Sequence, residues 1–135
     1  MHPFLARLGA FRPQLLSILR IVTALLFLEH ATMKLFGFPP SEMPSPAMFS
    51  GFWWSGVREL VGSVLLIAGF WTRIAAFILS GEMAVAYWVG HAPMSFYPLV
   101  NFGESAVLFC FVFLYIAAAG PGPWSVDAAR RSPMA

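Results

Sequence analysis

The sequence predicts an all-α integral membrane protein, a four-helix bundle of membrane-spanning segments with both termini on the cytoplasmic side. Three observations predict it: four apolar runs of membrane-crossing length, a shortage of charge, and a one-sided distribution of basic residues. Of 135 residues, 59% are hydrophobic and 10% charged, and mean hydropathy is +0.76. A soluble domain is about a quarter charged. A chain this short leaves much of its surface exposed on folding, so its surplus apolar surface needs lipid as solvent. The length suits one transmembrane domain, 1–135.

A span needs about 20 mostly apolar residues. The first is expected at 15–36, stopped by Gly37 and the pair Pro39 and Pro40. Arg7 and Arg12 ahead of it resemble the start of a signal peptide. The apolar run passes into Glu29 and His30 with no small-x-small cleavage pattern, so it reads as a retained helix. Residues 37–51, with Pro39, Pro40, Pro44 and Pro46, read as an ordered loop. Spans two and three are expected at 52–69 and 72–90. Gly69 suits a helix C-terminus and Thr72 an N-cap, predicting a tight antiparallel hairpin. The fourth span is expected at 97–119. Gly120-Pro121-Gly122-Pro123 ends it and leaves a short cytoplasmic tail, 120–135.

Four spans put both termini and the 69–72 turn on one face. That face carries Arg7, Arg12, Arg73, Arg130 and Arg131, with Arg20 just inside the first helix. The opposite face has only Lys34 and Arg58. Basic residues favour the cytoplasm, which places both termini inside. The net charge of +2 is small and scattered, which excludes a nucleic-acid footprint. Cys110 is the single cysteine, so the chain forms no internal disulfide, and it reads as an inert core thiol.

Each predicted span carries one glutamate: Glu29, Glu59, Glu82 and Glu104. At 1.5 Å per residue, three lie roughly 10 Å below the outer surface and Glu82 roughly 12 Å, a common level. A charge at membrane depth costs about 2.5–3.5 kcal/mol, so such groups must face the bundle interior and find partners. Candidates in the same half are His30, Lys34, Arg58 and Asn101, with His91 at the outer rim. Lys34 and Arg58 neutralise two carboxylates. The other two must be protonated, share a proton, pair with charged histidine or bind a cation. The layer therefore reads as a buried polar pocket suited to handling protons. No catalytic residue is assigned. The bland alternative is polar glue that fixes helix register without any ligand.

Among ligands, a quinone comes first, because it needs an apolar slot with a proton donor or acceptor at its headgroup. A haem between His30 and His91 ranks lower, since their expected depths differ. So does a dimetal centre, which needs Glu-x-x-His on one face; that spacing is absent, and no metal ligands are assigned. A glutamate also precedes a terminating proline in spans one and three, Glu29 before Pro39 and Glu82 before Pro93. This hints at a two-helix repeat.

Arg58-Glu59-Leu60-Val61-Gly62, the continuation LLIAGFWTRIAAF, Asn101-Phe102-Gly103-Glu104 and the ending GPGPWSVDA together resemble the DoxX family over residues 15–127. The resemblance implies a four-helix bacterial inner-membrane protein. Some relatives are described as the small membrane subunit of a thiosulfate–quinone oxidoreductase, others as parts of redox complexes linked to oxidative stress. It brings no settled catalytic residues. Three readings follow: a membrane subunit of a quinone-linked redox system, with membrane or soluble redox proteins as partners; a non-catalytic scaffold or assembly subunit; and a small proton or cation transporter. The last needs a homo-oligomer to make room for a permeation path.

Overall fold

The computed structural model describes residues 1–130; Arg131 and the rest of the expected tail lie outside the described residues. Helix is the only extended regular structure among them, and no strand occurs. The elements are α1 (Pro3–Ala10), α2 (Arg12–Phe36), α3 (Gly51–Ala68), α4 (Thr72–Ala86), α5 (Pro98–Asn101), α6 (Glu104–Ala119) and α7 (Val126–Arg130).

The first span starts earlier than expected. Pro13 sits in the first turn of α2, where its missing N–H removes no helical bond, so the helix begins at Arg12. It ends where Gly37 adopts φ 66° and the N–H groups of Gly37 and Phe38 return to Met33 and Thr32. α1 was not anticipated. None of its residues is buried, and Phe4, Leu5 and Leu8 all face outward. Between α2 and α3 the proline-rich stretch forms turns without a helix, as expected, until the Ser50 hydroxyl accepts from the Trp53 N–H and caps α3.

The turn from α3 to α4 is tight, with Gly69 at φ 69°, but the cap is not Thr72. The Asp127 carboxylate accepts from the N–H groups of Trp71 (3.0 Å) and Thr72 (2.9 Å), reaching back from the C-terminal segment. α4 continues through a widened turn, Tyr87–His91, and a 3₁₀ turn, Ala92–Met94, giving one run Thr72–Met94 of 23 residues.

The fourth expected span is broken. Phe102 takes φ 59°, and the Asn101 side chain replaces the helical pattern by accepting from the Gly103 N–H at 2.8 Å. Glu104 therefore opens α6 instead of lying inside a helix. At 16 residues α6 is roughly 24 Å long.

α2 packs along α3 and α4 along α6, while α3 meets α4 over a shorter stretch. Small residues set the close approaches. A Cβ on Gly56 would lie 3.1 Å from the Lys34 stem, and one on Gly62 2.7 Å from Leu79. Phe27, Phe109 and Phe113 interlock in the core at centroid distances of 4.9 to 5.8 Å. The end opposite Glu59 is closed by the C-terminal segment. Arg20, 0% exposed, donates to the carbonyls of Leu66, Pro121 and Trp124, and Ser17 Oγ accepts from the Trp124 N–H.

Arg12–Phe36 and Thr72–Met94 are long and apolar enough to cross a membrane. Only 33% and 28% of their most apolar stretches are buried, whereas a soluble core helix would hide most of its surface. Leu108, Phe111, Leu114 and Tyr115 of α6 also face outward. An exposed apolar surface of this extent matches lipid contact.

Candidate functional site

Four of the polar residues expected in one layer meet where α2, α3 and α4 adjoin. Lys34, in the last turn of α2, donates to Glu59 Oε1 at 2.7 Å, with side chains 11% and 1% exposed. Ser55 Oγ accepts a second Lys34 N–H at 3.0 Å, and the ammonium lies 4.3 Å from the Phe52 ring centre. One and two turns before Glu59 on α3, Ser55 and Phe52 thus hold the cation in place. Arg58, half exposed, stands 3.2 Å from Glu82 Oε1 on α4. This ion pair engages Glu82 Oε1 and leaves Glu82 Oε2 buried without a partner.

These groups open on a cavity of about 390 Å³. Glu59, Glu82, Arg58 and Ser55 form its polar part, His91 stands at its rim, and Phe52, Met83, Val85 and Val89 form its apolar walls. The Glu59 Oε2 atom is also buried without a partner. A buried acceptor left unpaired costs about 1–3 kcal/mol, and more when charged. Two such atoms beside one cavity form a place where a hydrogen-bond donor, or a proton, would be stabilised.

The remaining expected members are elsewhere. Glu29 and Glu104 are exposed, and neither joins the cavity. Glu29 lies on the outward side of α2. Glu104 stands at the helix start created by the break, outside the bundle interior. His30 packs edge-on against Phe109 of α6 at 5.7 Å and does not line Glu59's cavity, although it stands within charge reach of Glu59 and Lys34. With Glu29, Met33 and Pro39 it lines a separate small cleft of about 130 Å³. Asn101 is fully buried but serves the chain break: its amide nitrogen donates to Ser95 O at 2.9 Å and to the Tyr87 hydroxyl at 3.3 Å. His91 Nδ1 bonds the Asn101 carbonyl at 2.9 Å, so the break fixes the cavity rim. Among the described residues no three His, Cys, Asp or Glu side chains gather as metal ligands.

Sequence reasoning missed Ser55 and Phe52, whose types carry no charge signal. It also undervalued Arg20 and Asp127. Arg20 is an ionisable residue in an apolar helix, the same signal that singled out the glutamates. The GPGPWSVDA ending is the matching half of that lock.

A family model described as DoxX matches residues 15–92, which include Lys34, Arg58, Glu59, Glu82 and His91 and stop short of Glu104. A relative from Haemophilus influenzae, described only as an uncharacterized protein, is 42% identical over 129 residues, covering 89% of this chain and 93% of that one. Inner membrane protein YphA of Escherichia coli is 29% identical over 130 residues, covering 88% of this chain and 92% of its own. No solved structure matches the chain. With more than half its length matched by the family model, and a relative of this identity aligned along nearly all of it, the chain belongs to the DoxX family.

Proposed function

We propose that this chain is a four-span protein of the bacterial inner membrane, with both termini cytoplasmic, that serves as the membrane subunit of a redox system. In this reading the Glu59–Glu82 cavity binds the headgroup of a quinone-class ligand and exchanges protons with it. The single observation carrying the proposal is the pair of buried carboxylate oxygens without a partner, Glu59 Oε2 and Glu82 Oε2, beside an apolar-walled cavity. Carboxylates accept hydrogen bonds from the hydroxyls of a reduced ring, and Arg58 on the cavity wall supplies donors for ring carbonyls. Each cavity carboxylate is already ion-paired, Glu59 with Lys34 and Glu82 with Arg58, which suits an uncharged head.

The membrane assignment draws support from the printed name of the Escherichia coli relative and from the outward apolar faces. Orientation draws support from charge. Arg20, Arg73 and Arg130 stand at the end closed by the C-terminal segment, and Lys34 and Arg58 at the other. A scaffold reading is favoured by the same ion pairs, which tie α2 to α3 and α3 to α4.

Lipid extracts of the purified protein, analysed by mass spectrometry, separate the two readings. The redox reading expects quinone to copurify with the wild type and to be lost from Glu59→Gln and Glu82→Gln variants that still fold. Quinone at background level in the wild type, with glutamine variants altering stability alone, would leave the scaffold.

A further inference from the structure

At the end closed by the C-terminal segment, the bundle leaves α1 uncovered. None of its residues is buried, and Phe4, Leu5, Leu8 and the adjoining Phe11 are 45% to 64% exposed. At about 100° per residue these four fall within an arc of about 120°. Arg7 stands at the edge of that arc, and Ala6, Gly9 and Ala10 form the opposite side. The helix is closed at both ends by its chain neighbours. His2 Nδ1 accepts from the Phe4 N–H, and Arg12 Nε donates to the Gly9 carbonyl. Phe11, at φ −91° and ψ 8°, interrupts the helix, so α1 is a separate rod and not the first turns of the span.

Charge around this rod is one-sided. A Cβ on Gly122 would lie 3.0 Å from the Pro13 carbonyl oxygen, so the start of α2 adjoins the C-terminal segment. Arg7, Arg12 and Arg130 are exposed at this end. Residues 1–28 contain no Asp or Glu. Among the described residues the one acid nearby is Asp127, which is buried with both oxygens taken by the Trp71 and Thr72 N–H groups.

We propose that α1 lies in the headgroup plane of the bilayer, its apolar face among the acyl chains, and that Arg7 and Arg12 hold it to anionic phospholipid. Two observations select this occupant. The apolar face continues from Phe11 at helical spacing into Leu15 and Ile18, which face outward at the start of the α2 span. Its rim carries cations that no carboxylate of this end answers, and phosphate headgroups supply that complement. An arginine stem reaches from the apolar boundary to such headgroups. A second copy of this chain would instead set the same cations against each other. The inference is independent of the carboxylate cavity and of its ligand.

The test uses the full chain with Cys110→Ser and one nitroxide label, at Leu8→Cys or Ala6→Cys, in nanodiscs of phosphatidylethanolamine mixed with phosphatidylglycerol. The Leu8 label should be reached by oxygen dissolved in lipid and shielded from a water-soluble nickel chelate; at Ala6 the order should reverse. The second readout is the ratio of phosphatidylglycerol to phosphatidylethanolamine retained by the purified chain. Arg7 is exposed, so replacing it leaves the fold intact. An arginine near an anionic surface is worth roughly fivefold, so Arg7→Gln should lower the ratio by up to about fivefold. Adding Arg12→Gln should lower it further, and Arg7→Lys should keep the wild-type value. Equal nickel access at both positions puts α1 in water and overturns the proposal. Shielding of the Leu8 label from both reagents means that protein covers the face, and overturns it too. A lipid-exposed Leu8 with a ratio unmoved by the double replacement overturns the anionic selection.

Discussion

Replacing Lys34 with methionine removes the ammonium and keeps most of the side chain's length. Its partner Glu59 is 1% exposed and has one oxygen already unpaired. The variant therefore strips the second oxygen too, along with the Ser55 hydrogen bond and the Phe52 ring contact. Leaving one charge of a buried pair uncompensated costs about 3–5 kcal/mol. For a chain of this size that corresponds to a thermal midpoint lowered by roughly 10 °C or more. Replacing both partners, Lys34→Met with Glu59→Leu, removes the orphaned charge and should recover all but about 1 kcal/mol. The chain carries its own reporter. Cys110 is its single cysteine, partly buried and 3.6 Å from Ser80 Oγ, so a thiol-reactive dye follows unfolding in detergent. If the single variant melts within 2–3 °C of wild type, or the double variant is no better than the single, Lys34 and Glu59 do not form a coupled buried pair and the reasoning fails.

The same assay checks three further expectations. Asp127→Ala removes the acceptor for two backbone N–H groups at the start of α4 and should cost about 1–2 kcal/mol; an unchanged midpoint would show that the α4 start is capped otherwise. Glu29→Gln and Glu104→Gln, both at exposed positions, should stay within about 0.5 kcal/mol of wild type, and a loss matching Lys34→Met would return them to the buried charge system. Gly62→Ala places a methyl 2.7 Å from Leu79 and should cost about 1–3 kcal/mol; if Gly62→Ala melts with wild type, α3 and α4 are not closely packed there.

Particular residues show how far reading along the chain could reach. Gly37 and Gly69 were recognisable as helix stops because each punctuates an apolar run, and both take the left-handed conformation that glycine permits. Lys34, Arg58, Glu59 and Glu82 were recognisable as one group because charge is costly at that depth. Depth, however, is only one coordinate. Height along each helix says nothing about rotation around it, and Glu29, expected at the level of Glu59, is exposed. His30, one residue further round the helix, meets Phe109 instead. Asn101-Phe102-Gly103 looked like part of a span because its neighbours are apolar. Its break depends on an amide that satisfies the freed backbone through partners at Ser95, Tyr87 and Gly103.

From its sequence alone this chain is legible as helical and lipid-facing, with acidic side chains in its apolar helices that need partners. Those properties follow from composition, run length and the energetic cost of buried charge, which are local or additive. Only tertiary structure decides that two of four glutamates meet two cations over a cavity, and that Arg20 and Asp127 seal the far end. These outcomes depend on the rotation and spacing of helices against one another. Those are set by where glycines and alanines let backbones approach, and that information is spread across elements distant in the chain.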